Sequence, residues 1–190
     1  MQALRGLCAF PITPADADGR IVEADLRRIL SRIVRAQVDS IGLLGSTGNY
    51  AYLPLDERRR ALEIALDAVG DRVPVIVGVG ALRTSDAEAL ARHAREAGAQ
   101  GLLLAPMTYQ PLTADEIVTH FARVAEAGGL PLVIYNNPTT TRVTMDVALL
   151  ARLAALPHVA GVKMPLPAAD AFEAEIAALR DALPPGFVIG

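Results

Sequence analysis

Lysine, cysteine and aromatic residues are scarce in this sequence. Of the 190 residues 18 are lysine or arginine, and Lys163 is the only lysine among them. Cys8 is the only cysteine, so the chain has neither a disulfide framework nor a cysteine cluster for zinc or iron–sulfur. Apolar runs stay far below the roughly 20 residues that span a bilayer, and the amino terminus lacks the pattern of a secretory leader. We therefore predict a cytoplasmic protein with no membrane partner.

The distribution of charged residues does not favour binding of a nucleic acid. The formal net charge is −3, and many arginines stand beside acids, as in the run DERRR at residues 56–60, which we interpret as a solvated helix face. Hydrophobic residues make up 52% of the chain and aromatic residues only 4%. This composition is typical of a sheet that is buried on both faces and covered by alanine-rich helices.

Apolar runs of strand length recur at a regular period. They begin near Leu7, Ser40, Val73, Gly101, Leu130, Val159 and Gly186, so successive runs are 27 to 33 residues apart. Helical patterns over residues 22–37, 56–69, 85–97 and 113–127 lie between them, with Gly98 and the pair 128–129 as stop signals and a capping box at residues 113–116. Consecutive parallel strands with helical crossovers follow from this order.

The number of repeats favours a (β/α)8 TIM barrel over a Rossmann-type sheet. The first strand is not followed by the Gly-x-Gly-x-x-Gly pattern that a dinucleotide-binding sheet would need. A closed barrel usually takes about 250 residues, whereas this sequence reaches Gly190 in its seventh strand. We expect one domain over residues 1–190, an incomplete barrel truncated in the seventh strand.

Chemically useful side chains follow three of the predicted strands. Ser46 and Thr47 follow the second strand, Tyr135 ends the fifth, and Lys163 ends the sixth. Active sites of such barrels lie at the carboxyl ends of the strands. Because Tyr135 and Lys163 are about one repeat apart, we expect them at similar height on adjacent strands.

Lys163 lies in an apolar run where a solvated charge would be out of place. An arginine-rich sequence that keeps one lysine suggests a need for an amine that can lose its proton and attack a carbonyl, although a chance survivor at a strand end is equally simple. A neutral amine can add to a 2-oxo acid and form an imine that acts as an electron sink. Tyr135 could shuttle the protons, and the hydroxyls of Ser46 and Thr47, with backbone N–H groups near Gly45 and Gly48, could bind the carboxylate.

The histidines suggest neither a metal site nor a catalytic triad. His93 and His120 fall in predicted helices and His158 in a loop, and no pair has the spacing of metal ligands. We interpret all three as solvated or capping residues. The histidines therefore give no reason to expect a metal site.

Several motifs together resemble one enzyme family. They are AFPITP at residues 9–14, DGRI at 18–21, GSTG at 45–48, YNNP at 135–138 and GVK at 161–163. On these motifs the chain resembles the dihydrodipicolinate synthase / N-acetylneuraminate lyase family of class I aldolases. The resemblance implies a (β/α)8 barrel with an added C-terminal helical domain, which we expect residues 1–190 to lack. It implies a tetrameric or dimeric homo-oligomer that acts on pyruvate, or another 2-oxo acid, and an aldehyde, without a metal or organic cofactor. It also implies that Lys163 forms the Schiff base, that Tyr135 relays protons, that Ser46 and Thr47 hold the carboxylate, and that Thr47 bonds the Tyr135 hydroxyl.

The chain departs from the synthases of that family at several positions. Met107 and Thr108 stand where synthases carry two tyrosines, with Tyr109 one residue later; Thr140 replaces a carboxylate-binding arginine, with Arg142 two residues on. Asn49 and Met164 occupy positions where acids are common. We therefore expect an aldolase or lyase other than dihydrodipicolinate synthase itself. A sugar-acid dehydratase that uses the same imine, and a catalytically silent truncated barrel, remain open.

Overall fold

Seven short parallel strands form one sheet in chain order. The computed structural model describes residues 4–168 and 170–190. The strands are β1 (Cys8–Ala9), β2 (Ser40–Leu43), β3 (Val75–Gly78), β4 (Gly101–Leu104), β5 (Leu132–Tyr135), β6 (Val159–Lys163) and β7 (Val188–Ile189). Each strand pairs in parallel with the next one along the chain. Every predicted strand is confirmed, and each begins within two residues of its predicted start.

Helices connect the strands and cover one face of the sheet. They are α1 (Glu23–Arg35), α2 (Leu55–Val69), α3 (Thr84–Ala97), α4 (Ala114–Gly128), α5 (Pro138–Thr141), α6 (Val147–Ala154) and α7 (Phe172–Ala182). The four helices predicted with bounds are confirmed to within two residues. Among the described residues no helix has both the length and the apolar character that a bilayer crossing requires.

Local sequence signals fix where several helices begin and end. At the start of α4 the Thr113 side chain accepts the Glu116 N–H, and the Glu116 carboxylate accepts the Thr113 N–H, which is the predicted capping box. Gly98 and Gly129 follow α3 and α4 in the left-handed conformation that glycine adopts at low cost.

The sheet is curled rather than flat. Alternate residues of a strand point to opposite faces, and one set, which includes Leu43, Val77 and Ile134, packs under the helices in the main core. Residues from all seven strands line one inner cavity of about 270 Å³: Cys8, Ser40, Ile76, Leu103, Val133, Lys163 and Val188. A parallel sheet can surround one cavity with all its strands only when it bends round on itself. The fold is therefore α/β with a curled parallel sheet; its place in a closed (β/α)8 barrel and the single domain over residues 1–190 stay predictions.

The predicted solvated face of α2 is wrong at one residue. Arg58 is buried, whereas its neighbours Arg59 and Arg60 are half-buried. Arg58 shares its helix face with Ala61, Leu62 and other buried residues of α2, because these positions are three and four residues apart. The charges of the DERRR run suggested a solvated face, whereas the helical period of α2 assigns Arg58 to the core.

Candidate active site

Lys163 and Tyr135 lie side by side at the carboxyl ends of β6 and β5. The register pairs Tyr135 directly with Lys163, as their spacing along the chain predicts. The Lys163 Nζ lies over the Tyr135 ring, 5.1 Å from its centroid. The amine is therefore within a side-chain length of the phenol.

Two aromatic rings lie close to the lysine amine. Besides the Tyr135 ring, the Phe10 ring lies under Nζ, with its centroid 5.4 Å away. Phe10 can approach the strands because the facing inner positions are glycine: a Cβ added to Gly42 would come within 2.2 Å of the Phe10 ring. Lys163 is half-buried, and in the described part of the chain no carboxylate pairs with it. Two ring faces, rather than a counter-ion, form its surroundings.

The Tyr135 hydroxyl is the centre of a small hydrogen-bond network. The Ser46 Oγ lies 3.0 Å from it, and either oxygen can donate. The side chains of Asn137 and Thr140 also donate to it, at 3.2 Å and 3.4 Å. Tyr135 itself is only 5% exposed. The network therefore holds a buried phenol with a fixed orientation.

These contacts lower the pKa of Tyr135. Burial raises the pKa, but the hydrogen bonds from Ser46, Thr140 and Asn137 and the nearby charge of Lys163 favour the phenolate and together outweigh burial. A phenol with a lowered pKa gives up its proton more readily than tyrosine in water. Tyr135 thus has the properties of a proton donor and acceptor beside the amine.

The structure corrects one detail of the expected hydroxyl pair. The hydroxyl that contacts Tyr135 belongs to Ser46, and within the described residues no hydrogen bond joins Thr47 to Tyr135. Both side chains are exposed. In addition, the Gly48 N–H donates to the Gly45 carbonyl in a short 3₁₀ turn. The Gly48 N–H is therefore already used, which leaves the predicted anion-binding nest without one of its donors.

A cavity of about 430 Å³ opens beside the Tyr135 hydroxyl. Hydroxyl groups dominate its lining, and its one charged residue is Arg142; the lining residues are Ser46, Asn49, Tyr50, Ala51, Tyr52, Leu82, Met107, Thr108, Tyr135, Thr139, Thr140, Thr141 and Arg142. Lys163 lines the inner cavity instead. Tyr135 lines the larger cavity, and its ring lies under the amine of Lys163.

Several of the positions that depart from the synthases line this larger cavity. Met107, Thr108, Thr140 and Arg142 line it. Tyr109 is 92% exposed and contributes nothing to the Tyr135 network in a single chain. Arg142 adopts a left-handed conformation (φ 59°), which ends the short helix α5. The cavity therefore has one cation in its lining, Arg142, whereas the synthases carry their arginine at the position of Thr140.

Other polar candidates have structural surroundings. The Asn136 side chain donates to the Met145 carbonyl and is buried. His120 is buried and lies 2.9 Å from the Thr84 hydroxyl, so the prediction of a solvated or capping histidine is wrong there. The described residues contain no group of three histidine, cysteine or acidic side chains that could hold a metal.

Sequence reasoning missed three contributors to the site. The sequence of Phe10 and its neighbours gives no sign that its ring lies beside the lysine, and only the glycines that face it, Gly42 and Gly45, leave room for a ring there. Asn137 reads as a turn residue, and its side chain both donates to Tyr135 and accepts the Thr139 N–H at the start of α5. Thr140 reads as the loss of an arginine, whereas its hydroxyl contacts Tyr135.

Comparison with known proteins assigns the chain to a family. The sequence profile described as the Dihydrodipicolinate synthetase family matches residues 3–189. The chain belongs to this family. The family resemblance inferred from the motifs is thereby confirmed.

Similar proteins carry the synthase name. The 4-hydroxy-tetrahydrodipicolinate synthase of Acidiphilium cryptum is 41% identical over 152 residues, which are 80% of this chain and 52% of that protein. The crystal structure of dihydrodipicolinate synthase from Agrobacterium tumefaciens matches with a TM-score of 0.96 and 52% identity, over 99% of this chain and 63% of that one. YagE of Escherichia coli K12, solved in complex with pyruvate, matches with a TM-score of 0.88 and 28% identity, over 98% of this chain and 63% of its own.

Two consequences follow from these matches. The chain spans about half the length of the curated synthases it matches. The names of these relatives give no support to the expectation of an activity other than that of the synthases. That expectation rested on the departures at residues 49, 107, 108, 140, 142 and 164.

Proposed function

We propose that Lys163 forms an imine with pyruvate or a related 2-oxo acid, and that the chain makes or breaks a carbon–carbon bond to an aldehyde. One observation carries the proposal: the Lys163 amine lies over the ring of a buried tyrosine whose hydroxyl is held by Ser46. A solitary amine next to an oriented proton donor is the arrangement that imine formation needs.

The chemistry balances with the groups present. The neutral amine adds to C2 of the 2-oxo acid and gives a carbinolamine. A proton from the Tyr135 hydroxyl lets the former carbonyl oxygen leave as water, which leaves a protonated imine and a phenolate. The phenolate takes a proton from the methyl carbon and gives an enamine, whose carbon attacks the aldehyde while the Tyr135 hydroxyl protonates the aldehyde oxygen. Water then adds to the protonated imine, its released proton returns to Tyr135, and the free amine and the new 2-oxo acid separate.

The Tyr135 network supports both directions of proton transfer. Ser46 can donate or accept, and Asn137 and Thr140 donate, so that the phenolate left after proton transfer has three partners. Hydrogen bonds to a charged acceptor are each worth about 1.5–3 kcal/mol. Tyr135 can therefore give up and regain its proton without a large rearrangement.

The roles of the other groups follow from position and charge. Ser46 and Thr47 remain our proposed ligands for the substrate carboxylate, and both lie in the turn after β2. The larger cavity, rich in hydroxyls and with Arg142 at its edge, is the proposed site of the aldehyde. We also propose a homo-oligomer, because Tyr52, Leu82 and Tyr109 are exposed near this cavity.

Exchange of the methyl protons of pyruvate in D₂O tests the proposal without knowledge of the aldehyde. The enamine exposes these protons to solvent, so the methyl signal in ¹H NMR should decay in the presence of the protein. We expect Lys163→Arg to abolish the catalysed decay, since guanidinium keeps its proton. Tyr135→Phe should slow it about 100-fold, with the fold retained in circular dichroism.

Lys163→Arg is the control that separates the role of the amine from that of the positive charge. Lys163→Arg preserves the positive charge and approximate length of the side chain, so that a loss of exchange reports the amine and not the charge. Equal decay rates for the unmodified chain and Lys163→Arg would contradict the proposal.

A further inference from the structure

Arg58 is a buried cation, only 3% exposed, and among residues 4–168 and 170–190 no carboxylate pairs with its guanidinium. Within the same residues its buried Nε has no hydrogen-bond partner. Burial lowers the pKa of Arg58 to about 10. A positive charge in the first turn of a helix is also unfavourable to the helix dipole, so a role other than stability should explain it.

The guanidinium of Arg58 replaces a strand partner at the end of β3. The last register pair between β2 and β3 joins Leu43 to Val77, after which the backbone changes direction at Leu44 (φ 56°), whose carbonyl packs against Gly78. The Val79 N–H donates to β4. Because successive residues of a strand alternate their hydrogen-bonding side, the carbonyls of Gly78 and Gly80 point away from β4, beyond the last pair with β2.

Arg58 binds both of these carbonyls. Its Nη1 donates to the Gly80 carbonyl at 3.0 Å, and its Nη2 donates to the Gly78 carbonyl at 3.1 Å. A planar fork of N–H groups suits two carbonyls two residues apart, and an ammonium cannot reproduce it. Where the pairing of β3 with β2 ends, the Arg58 side chain therefore supplies the hydrogen-bond donors for these two carbonyls.

The same guanidinium fixes the other end of that loop. It lies over the Tyr50 ring, 5.1 Å from its centroid. Two successive 3₁₀ turns, Ser46–Gly48 and Tyr50–Tyr52, connect Tyr50 to Ser46 through Asn49. Tyr50 also packs against the inner cluster that contains Tyr135. A short and tightly turned segment thus connects the contact of Arg58 to the hydroxyl that contacts Tyr135.

We propose that Arg58 is a positioning residue: by replacing β2 beside β3 and holding Tyr50, it keeps the Ser46 hydroxyl in contact with Tyr135. This inference rests on the proposed function for its kinetic readout. Arg58 touches no reacting atom, and it acts through the loop of residues 46–52.

A double-mutant cycle on pyruvate proton exchange tests the coupling. We expect Ser46→Ala and Arg58→Met each to slow exchange about tenfold. If Arg58 acts through Ser46, the double variant should be about tenfold slower, and not about hundredfold, because the second change removes a contact already lost. Arg59→Met, the neighbouring arginine of the same helix, should leave the rate unchanged. An additive double variant, or an equal effect of Arg59→Met, would overturn the inference.

A backbone measurement separates this inference from the proposed function. In Arg58→Met, amide hydrogen exchange of residues 44–53 should accelerate about tenfold, whereas in Arg59→Met it should not. If the unmodified chain shows no pyruvate exchange, the proposed function fails and the amide measurement alone decides the role of Arg58. Arg58→Lys, compared with Arg59→Lys, serves if the methionine variant does not fold. Unchanged exchange over residues 44–53 in the Arg58 variant would contradict the inference.

Discussion

Replacement of Ser46 by alanine should raise the pKa of Tyr135. The Ser46 hydroxyl lies 3.0 Å from the phenol oxygen and is the first of three hydrogen-bond partners that lower this pKa against the effect of burial. Alanine cannot stabilise the phenolate, so the neutral phenol becomes favoured over a wider pH range. The midpoint of Tyr135 ionisation should therefore move to higher pH.

The expected size of the shift follows from the energy of one such bond. A hydrogen bond to a charged group contributes about 1.5–3 kcal/mol, and 1.36 kcal/mol corresponds to one pKa unit. Asn137 and Thr140, at 3.2 Å and 3.4 Å, continue to donate in the variant. We therefore expect the lower end of the range, a loss of about 1.5 kcal/mol of phenolate stabilisation, and with it a rise in the pKa of Tyr135.

Tyrosine labelled with ¹³C at Cζ allows this shift to be measured by NMR. The chain has four tyrosines, so the signals should separate, and Tyr135→Phe identifies the one of interest. Thr47→Val is the matched control. The Thr47 hydroxyl is one residue away from Ser46 and, within the described residues, makes no hydrogen bond to Tyr135. In Thr47→Val the ionisation of Tyr135 should therefore have the same midpoint as in the unmodified chain. A shift in Thr47→Val but not in Ser46→Ala would refute this account of the network.

Three further predictions concern stability and specificity. Gly42→Ala should destabilise the fold by about 1–3 kcal/mol in urea unfolding, because its Cβ would overlap the Phe10 ring; Phe10→Leu in the same chain should recover part of the loss, and no recovery would place the ring elsewhere. Arg142→Gln should raise KM about tenfold for aldehydes that bear a carboxylate but not for neutral ones; equal effects would remove Arg142 from recognition. Thr113→Ala should lower Tm by about 2–4 °C through loss of the capping box, whereas Thr119→Ala in the same helix should change stability by less than about 0.5 kcal/mol; equal shifts would contradict the capping role.

Most of the architecture is readable from the sequence because it depends on a regular period. Strand-length apolar runs and amphipathic helices alternate at nearly constant spacing, and this order predicts parallel neighbours. The same regularity explains why Tyr135 and Lys163 could be placed in register, since strands one repeat apart have equal height in the sheet. Local signals such as the capping box at Thr113 depend only on neighbouring residues and were equally accessible.

The finer contacts of the site depend on where the backbone turns. Whether Ser46 or Thr47 meets Tyr135 is decided by the left-handed conformation of Leu44 and the 3₁₀ turn that follows. A residue of this type rarely adopts that conformation, so the sequence gives no warning of it. Phe10 directly follows β1 and contacts Gly42 of β2, and residue type alone does not predict how deeply its ring enters the interior.

Arg58 illustrates a conflict between two sequence signals. Its charge and its charged neighbours indicate a solvated face, whereas the helical period assigns it to the buried face of α2. The period was the better guide, because two backbone carbonyls and an aromatic ring offered partners for the guanidinium. Those partners belong to segments distant in sequence, and only the folded chain brings them together.

Reduction with borohydride in the presence of pyruvate is the most direct test of imine formation at Lys163. With only one lysine in the chain, the mass of the intact protein and of its peptides can assign the adduct, the α-amino terminus being its only competitor. We predict one reduced pyruvate adduct on the peptide that contains Lys163, and none on Lys163→Arg. An unmodified mass, or an adduct that persists in Lys163→Arg, would contradict the central claim.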